Sequence, residues 1–240
     1  MKKSVFFSLI FLFYFPILTA IAGNTPREIM LASEEWTNAT NRDGTGLYWD
    51  IFRAVFEPAG IKTRFIIRPY GRSIRLVKHN RADALVGAYP DIIKGALFPR
   101  YPFDKDLIFA LFDKRLRAQW KGQASLKGKK VAWVKGFAFD EYLQIPVIKK
   151  EFSSRETILQ LLDKKRLDFF LDSHNDLEAV LNRKIVDVTR YTVEEVMQLD
   201  RYLAFANNKK GEKLRQIFDQ RYPLLVKSGR IEKLFAKWNW

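Results

Sequence analysis

The sequence predicts an α/β protein in two similar lobes, each a mainly parallel sheet flanked by helices. Three observations carry that expectation. Strand-like and helix-like segments alternate along the chain, the pattern of parallel sheets with right-handed crossovers. The alternation then repeats in the same order. No low-complexity stretch or long linker separates the two runs, so more than one strand crossing is expected to join the lobes.

The first 22 residues are set aside as an export signal. Lys2 and Lys3 form a short positive region, residues 5–18 are almost wholly apolar, and Ala20-Ile21-Ala22 has the small-x-small form of a cleavage site. Pro16 near the end of the apolar run disfavours a continuous spanning helix. The mature chain is expected to start at Gly23. With no cysteine after the cleavage site, no lipid anchor is available there, and the expected location is the periplasm.

Residues 29–31 read as the first strand, followed by a polar loop over 33–45 that contains Trp36 and Gly44. Leu47, Ile51, Phe52, Val55, Phe56 and Ala59 then make an apolar stripe at helical spacing, closed by Pro58 and Gly60. Residues 63–68 are β-branched and aromatic, a second strand. Pro69 and Gly71 open a helix through Ile74, Leu76 and Val77, and residues 83–86 close the unit as a third strand ending at Gly87.

The second run follows the same order. Residues 129–134 form a strand ending at Gly136, 137–143 a short helix, 147–152 a strand, 154–165 a helix and 168–171 a strand. Residues 74–86 (IRLVKHNRADALV) and 159–171 (LQLLDKKRLDFFL) share apolar residues at their first, third, fourth and ninth positions, arginine at the eighth and aspartate at the tenth. A helix over 176–182, a strand over 184–188 and the segment 202–205 come next. A helix from about 212 to 226, interrupted at Pro223, and a last helix carrying Ile231, Leu234, Phe235 and Trp238 end the chain.

Composition narrows the function. The chain has 240 residues, of which 48% are hydrophobic and 29% charged, so a sizeable core forms and a multi-span membrane protein is excluded. Absence of cysteine removes disulfide scaffolds, thiolate metal sites and thiol catalysis. Without Lys2 and Lys3, 40 basic residues stand against 27 acidic ones, a balance of +13. The lysines are spread over most helices, which reads as a solvated basic surface; no nucleic-acid partner is expected.

In open parallel sheets ligands bind outside the carboxyl ends of the strands. That rule selects Glu35 and Trp36, Tyr70 and Arg72, and Ala88 and Tyr89 in the first run. In the second it selects Gly136 and Phe137, then Ser153, then Asp172 and Ser173. Aromatics with one fixed positive charge and two carboxylates suit a small polar or charged ligand. Arg72 is the residue expected to bond an anionic or carbonyl group. Asp172 has a second reading as the cap of the helix that follows it. Asp172-x-His174-x-Asp176 reads as a capping loop ahead of a metal site, and G-x-S-x-G, H-E-x-x-H and G-x-x-x-x-G-K are all missing. No catalytic residue, metal or cofactor is expected.

Gly46-Leu47-Tyr48-Trp49-Asp50, at the opening of the first helix, resembles a signature of the family 3 periplasmic solute-binding proteins of ABC importers, and the resemblance runs over nearly all of the mature chain. Arg81-Ala82-Asp83-Ala84-Leu85-Val86-Gly87 resembles the family's G-x-x-D-x-x-x-G strand. Residues 125–131 followed by Lys135-Gly136 resemble the start of the second lobe, and Ser228-Gly229 with Ile231 and Trp238 the family ending. The resemblance implies a type 2 periplasmic-binding fold whose two lobes are joined by two strand crossings and close like a hinge. Residues 91–95 lack the arginine with which family members usually hold a ligand carboxylate. Phe137-Ala138 stands where a serine or threonine is usual, and the aspartate that typically receives an ammonium falls on Ser173. These departures argue against an ordinary α-amino acid. Tyr70-Gly71-Arg72 resembles the aromatic-x-arginine element of a less characterised branch.

The expectation is therefore a signal peptide over 1–22, one lobe from 23–110 with 200–240, and a second from 111–199. The expected function is binding of a small polar or anionic solute, as a monomer, for delivery to the membrane permease of an ABC importer. The rivals are a dehydratase-like enzyme using Glu35 or Asp172, and a ligand-sensing partner of a membrane receptor.

Overall fold

The computed structural model describes residues 25–240; the expected export signal and its cleavage site lie outside them. Strand β1 (Glu28–Ser33) is followed by helix α1 (Leu47–Phe56), strand β2 (Lys62–Ile67), helix α2 (Tyr70–Lys78) and strand β3 (Ala84–Ala88). The long strand β4 (Asp104–Asp113) leads to β5 (Lys130–Val134), β6 (Ile148–Phe152), α3 (Arg155–Asp163), β7 (Phe169–Ser173) and α4 (His174–Leu181). Strand β8 (Tyr191–Phe205), α5 (Lys209–Lys227) and α6 (Arg230–Lys237) complete the chain.

The strands order as β2-β1-β3-β8-β4-β7-β5-β6. β1 pairs in parallel with β2 and β3, and β5 in parallel with β6 and β7, so the two ends of the sheet share one arrangement. Between them β8 and β4 are antiparallel to each other and to the flanking trios. Two separate sheets were expected; the ladder instead runs through all eight strands. The reason is strand length. β8 has 15 residues, enough to pair along Tyr191–Arg201 with β4 and along Tyr202–Phe205 with β3.

The short internal repeat is visible in the backbone. Asp83 N–H donates to the Met30 carbonyl at 2.8 Å while Met30 N–H donates to the Asp83 carboxylate at 2.7 Å. Asp168 and Lys130 exchange the same pair of bonds at 2.9 and 2.8 Å. Arg81 and Arg166 donate to Leu76 and Leu161 at the equivalent helix ends, and the residue before each arginine has φ 55°. The matched aspartates thus clamp equivalent strands, which explains why that residue type recurs.

Three local expectations are corrected. Residues 184–188 are not a strand: Lys184 sits at φ 53° and the segment turns into a 3-10 helix, Val188–Arg190. α5 is not interrupted at Pro223, because Leu214, Phe218 and Tyr222 bury one face and hold the helix past the lost N–H. The short helix after Gly136 is a single 3-10 turn, Phe139–Glu141. The buried core runs along the whole sheet, with Trp49, Phe52 and Phe56 of α1, and Trp133 and Phe170 of β5 and β7, fully enclosed.

Candidate functional site

The carboxyl ends of the parallel strands from both trios converge on one place. Trp36 follows β1, Tyr70 opens α2 after β2, and Tyr89 follows β3. Phe137 follows β5, and Asp172 and Ser173 end β7. These six expected residues, with Gly87, Asp106, Asp176 and Arg201, line a cavity of about 10 Å³, the room of a single water. Its walls are in contact across the middle. The Tyr70 and Phe137 rings meet edge to face at 5.1 Å, and Tyr142 OH donates to the Pro90 carbonyl at 2.5 Å. Gly136, at φ 101°, lies so near Gly71 that a Cβ on it would sit 3.2 Å from the Gly71 Cα. Gly87, at φ 72°, similarly leaves its space to the Trp36 ring, 2.7 Å from where a Cβ would be.

Glu35, Arg72 and Gly136 are not among the lining residues. Adjacent residues on extended backbone point to opposite sides, so with Trp36 turned inward Glu35 faces solvent and pairs with Arg42 at 3.0 Å. Arg72 stands on the exposed face of α2, whose inward residues are Tyr70, Ser73 and Val77. Gly136 contributes backbone next to the cavity, its N–H donating to Glu151 at 3.4 Å.

Two arginines that sequence reasoning missed organise the charge. Arg155 is the first residue of α3 after the Ser154 cap. Its guanidinium donates to Asp172 at 2.8 Å, to Asp176 at 3.1 Å and to Glu34 at 3.4 Å, and lies 5.7 Å from the Phe137 ring centre. Glu34 comes from β1's end and the aspartates from β7's end, so one guanidinium ties the two trios together. Burial pushes Asp172 up to about 8, with Arg155 pulling against it. Burial also raises Glu34, and its Oε2 has no hydrogen-bond partner among the described residues. Arg155 itself is held above its ordinary value: burial opposes its charge, but the three carboxylates outweigh burial.

Arg201 of β8 is the second. It is 7% exposed, pairs with Asp106 of β4, and donates to Tyr48 OH at 2.5 Å. Tyr89 OH donates to the same Asp106 carboxylate, and Tyr48 OH to Asp104 at 2.5 Å. The Arg201 guanidinium lies 5.5 Å from the Trp36 ring centre. Burial raises both tyrosines well above their ordinary values, so they act as neutral donors. Ser173, rather than Asp172, caps α4, accepting from Asp176 N–H at 3.3 Å.

The sequence matches no family model and no curated protein. Solved structures do match. A histidine kinase sensor domain with similarity to periplasmic binding proteins superposes with a TM-score of 0.71 at 17% identity, over 90% of this chain and 97% of that one. An ancestral arginine-binding protein bound to arginine gives 0.68 at 17% identity, over 89% and 99%. An ancestral amino acid-binding protein, a precursor of cyclohexadienyl dehydratase, gives 0.64 at 18%, over 88% and 95%. The chain has the periplasmic-binding-protein fold.

In this fold the strand-end rule brings six of the residues it selects together around one cavity and leaves Glu35, Arg72, Ala88, Gly136 and Ser153 off its walls. Arg155 and Asp176 are each the third residue after their strands, β6 and β7, as Trp36, Tyr70 and Phe137 are after theirs, so the rule reaches them; which polar residues meet there is decided by tertiary approach. Arg201 and Asp106 are strand residues of β8 and β4, which the rule does not reach. Among the described residues no helix is long and apolar enough to cross a membrane, and no group of acidic and histidine side chains could hold a metal ion.

Proposed function

We propose that this chain is an exported solute-binding protein whose cleft receives a small polar solute for delivery to the permease of an ABC-type importer. The observation that carries this is the cavity itself. Four aromatic side chains, Trp36, Tyr70, Tyr89 and Phe137, and the Arg155 carboxylate cluster are contributed by strand ends of both trios. In this reading residues 23–110 with 200–240 form one lobe, 111–199 the other, and β4 and β8 are the crossings about which they open. Contacts such as Glu34–Arg155 and Tyr142–Pro90 then release, and the aromatic walls part to admit solute. Both arginines at the cleft are already paired with carboxylates, which favours a polar or positively charged solute over a strongly anionic one.

The test is mass spectrometry of the small molecule that co-purifies with protein from the periplasm, repeated on Phe137→Ala. Recovery of one unchanged solute, lost in the variant, supports the reading. Recovery of a conversion product after incubation, dependent on Asp172, supports the enzymatic reading instead. N-terminal sequencing that starts at Gly23 tests export, and retention of Lys2 overturns it.

A further inference from the structure

A groove of about 560 Å³ lies beside the closed cleft, within the usual ~300–1,000 Å³ of small-molecule sites. Trp36, Asp106, Ser173, Asp176 and Arg201 form a wall common to both. Its other walls come from residues that the cleft does not use. Asn175, Glu178, Ala179 and Asn182 of α4 and its C-cap face it at i, i+3, i+4 and i+7, a single helix face. A stripe at that spacing is apolar where a helix packs on a core. Here it is amide, carboxylate and amide around one alanine. Opposite stand Lys105, Leu107 and Phe109, alternate residues of β4 and so one face of the strand.

Leu107 stays 42% exposed on that face. Trp238 and Trp240 close one end with their indole N–H groups already committed, to Asp50 at 2.9 Å and to Asp104 at 3.1 Å. The rings are thereby fixed as walls. The side-chain amides of Asn175 and Asn182 make no hydrogen bond among the described residues. The groove therefore offers an apolar floor, fixed aromatic edges and a row of unused amide donors and acceptors.

We propose that this groove binds a neutral saccharide. A sugar ring has an apolar C–H face that suits Leu107 and Trp240, and hydroxyls that both donate and accept. A primary amide presents a donor and an acceptor side by side, and the Glu178 carboxylate accepts, which matches neighbouring hydroxyls. Two rivals fit less well. An extended peptide needs an open strand edge, but β4 pairs with β8 on one side along Asp104–Asp113 and with β7 on the other along Ile108–Leu111. A phosphate would meet Asp176 and Glu178, with Arg201 already spent on Asp106.

The inference does not rest on the cleft reading, because Leu107, Asn175 and Asn182 line the groove alone. The experiment titrates the purified chain with maltotriose, cellotriose and triacetylchitotriose, read by tryptophan fluorescence and calorimetry. At least one saturates with a Kd in the millimolar range or tighter. Asn175→Ala and Asn182→Ala, both exposed positions, each weaken it about tenfold. The same variants keep whatever solute co-purifies in the cleft, so loss of saccharide binding alone isolates the groove. Saturation by none of the three, or full-strength binding by both asparagine variants, overturns the proposal. Failure to find a cleft solute leaves the saccharide result standing on its own.

Discussion

Replacing Arg201 by methionine removes the positive charge from a buried network while keeping most of the side-chain volume. Asp106 is 5% exposed and would keep one neutral donor, Tyr89 OH, in place of a guanidinium. Tyr48 OH would lose its Arg201 donor and retain Asp104 as acceptor. Breaking a buried pair in this way costs about 3–5 kcal/mol, because the remaining charge is neither solvated nor matched. At about 2–4 °C per kcal/mol for a domain of this size, Tm should fall by about 6–20 °C. Urea denaturation of Arg201→Met followed by circular dichroism measures the loss. The decisive companion is Arg201→Met with Asp106→Asn, which removes the stranded charge and leaves Tyr89 an acceptor. Most of the loss should return, so the two substitutions should be strongly non-additive. A loss under about 1 kcal/mol, or simple additivity, would refute the view that charge pairing in the interior organises β4 and β8.

Three further outcomes are expected. Burial holds the folded Asp172 carboxyl well above its ordinary value of 3.8, so from that value upward to its folded one the folded chain binds more protons. Stability from this group therefore falls as pH rises through that window, and thermal melts of Asp172→Asn should show a shallower decline; a steeper one contradicts the assignment. Gly136→Ala places a Cβ at φ 101° against Gly71, so it should destabilise by more than about 1 kcal/mol and expand the chain in small-angle scattering. Unchanged scattering would show that the Gly71 contact does not hold the cleft shut. Arg72→Ala should leave both stability and affinity for the co-purified solute within about 0.5 kcal/mol, whereas Phe137→Ala weakens the solute; equal losses would return Arg72 to the cleft.

Much of the fold was legible because its local signals agree. The central strands of the two trios, β1, β3, β5 and β7, are short apolar runs, and the helices between the strands carry stripes. The matched Asp83 and Asp168 could be paired from sequence because each closes the same hydrogen-bonded loop onto a neighbouring strand. β4 and the first half of β8 escaped notice for the opposite reason. Their outward residues are charged, among them Lys105, Glu194, Glu195 and Asp200, and their stability comes from pairing with each other across about 80 to 100 positions of chain. No local pattern reports that pairing.

The site divides along the same line. The aromatics were found because a single rule, strand ends facing one cleft, places them whatever the details. The charges were not, because which carboxylate meets which arginine is decided by tertiary approach. Glu34 and Glu35 show this most directly. Sequence reasoning named Glu35 beside Trp36, although adjacent residues diverge; the inward turn of Trp36 sends Glu35 to Arg42 at the surface and Glu34 to Arg155 in the interior. Arg155 then gathers three carboxylates that lie 121, 17 and 21 residues away. A guanidinium that already serves three acceptors has little left for a ligand carboxylate, and Arg201 is spent in the same way on Asp106. On the proposed reading, what the cleft offers an incoming solute is therefore its excess of acceptors and its aromatic faces. That physical asymmetry, invisible in the composition of a strongly basic chain, is why surface charge and site charge must be reasoned about separately: the lysines sit in water, and the buried balance runs the other way.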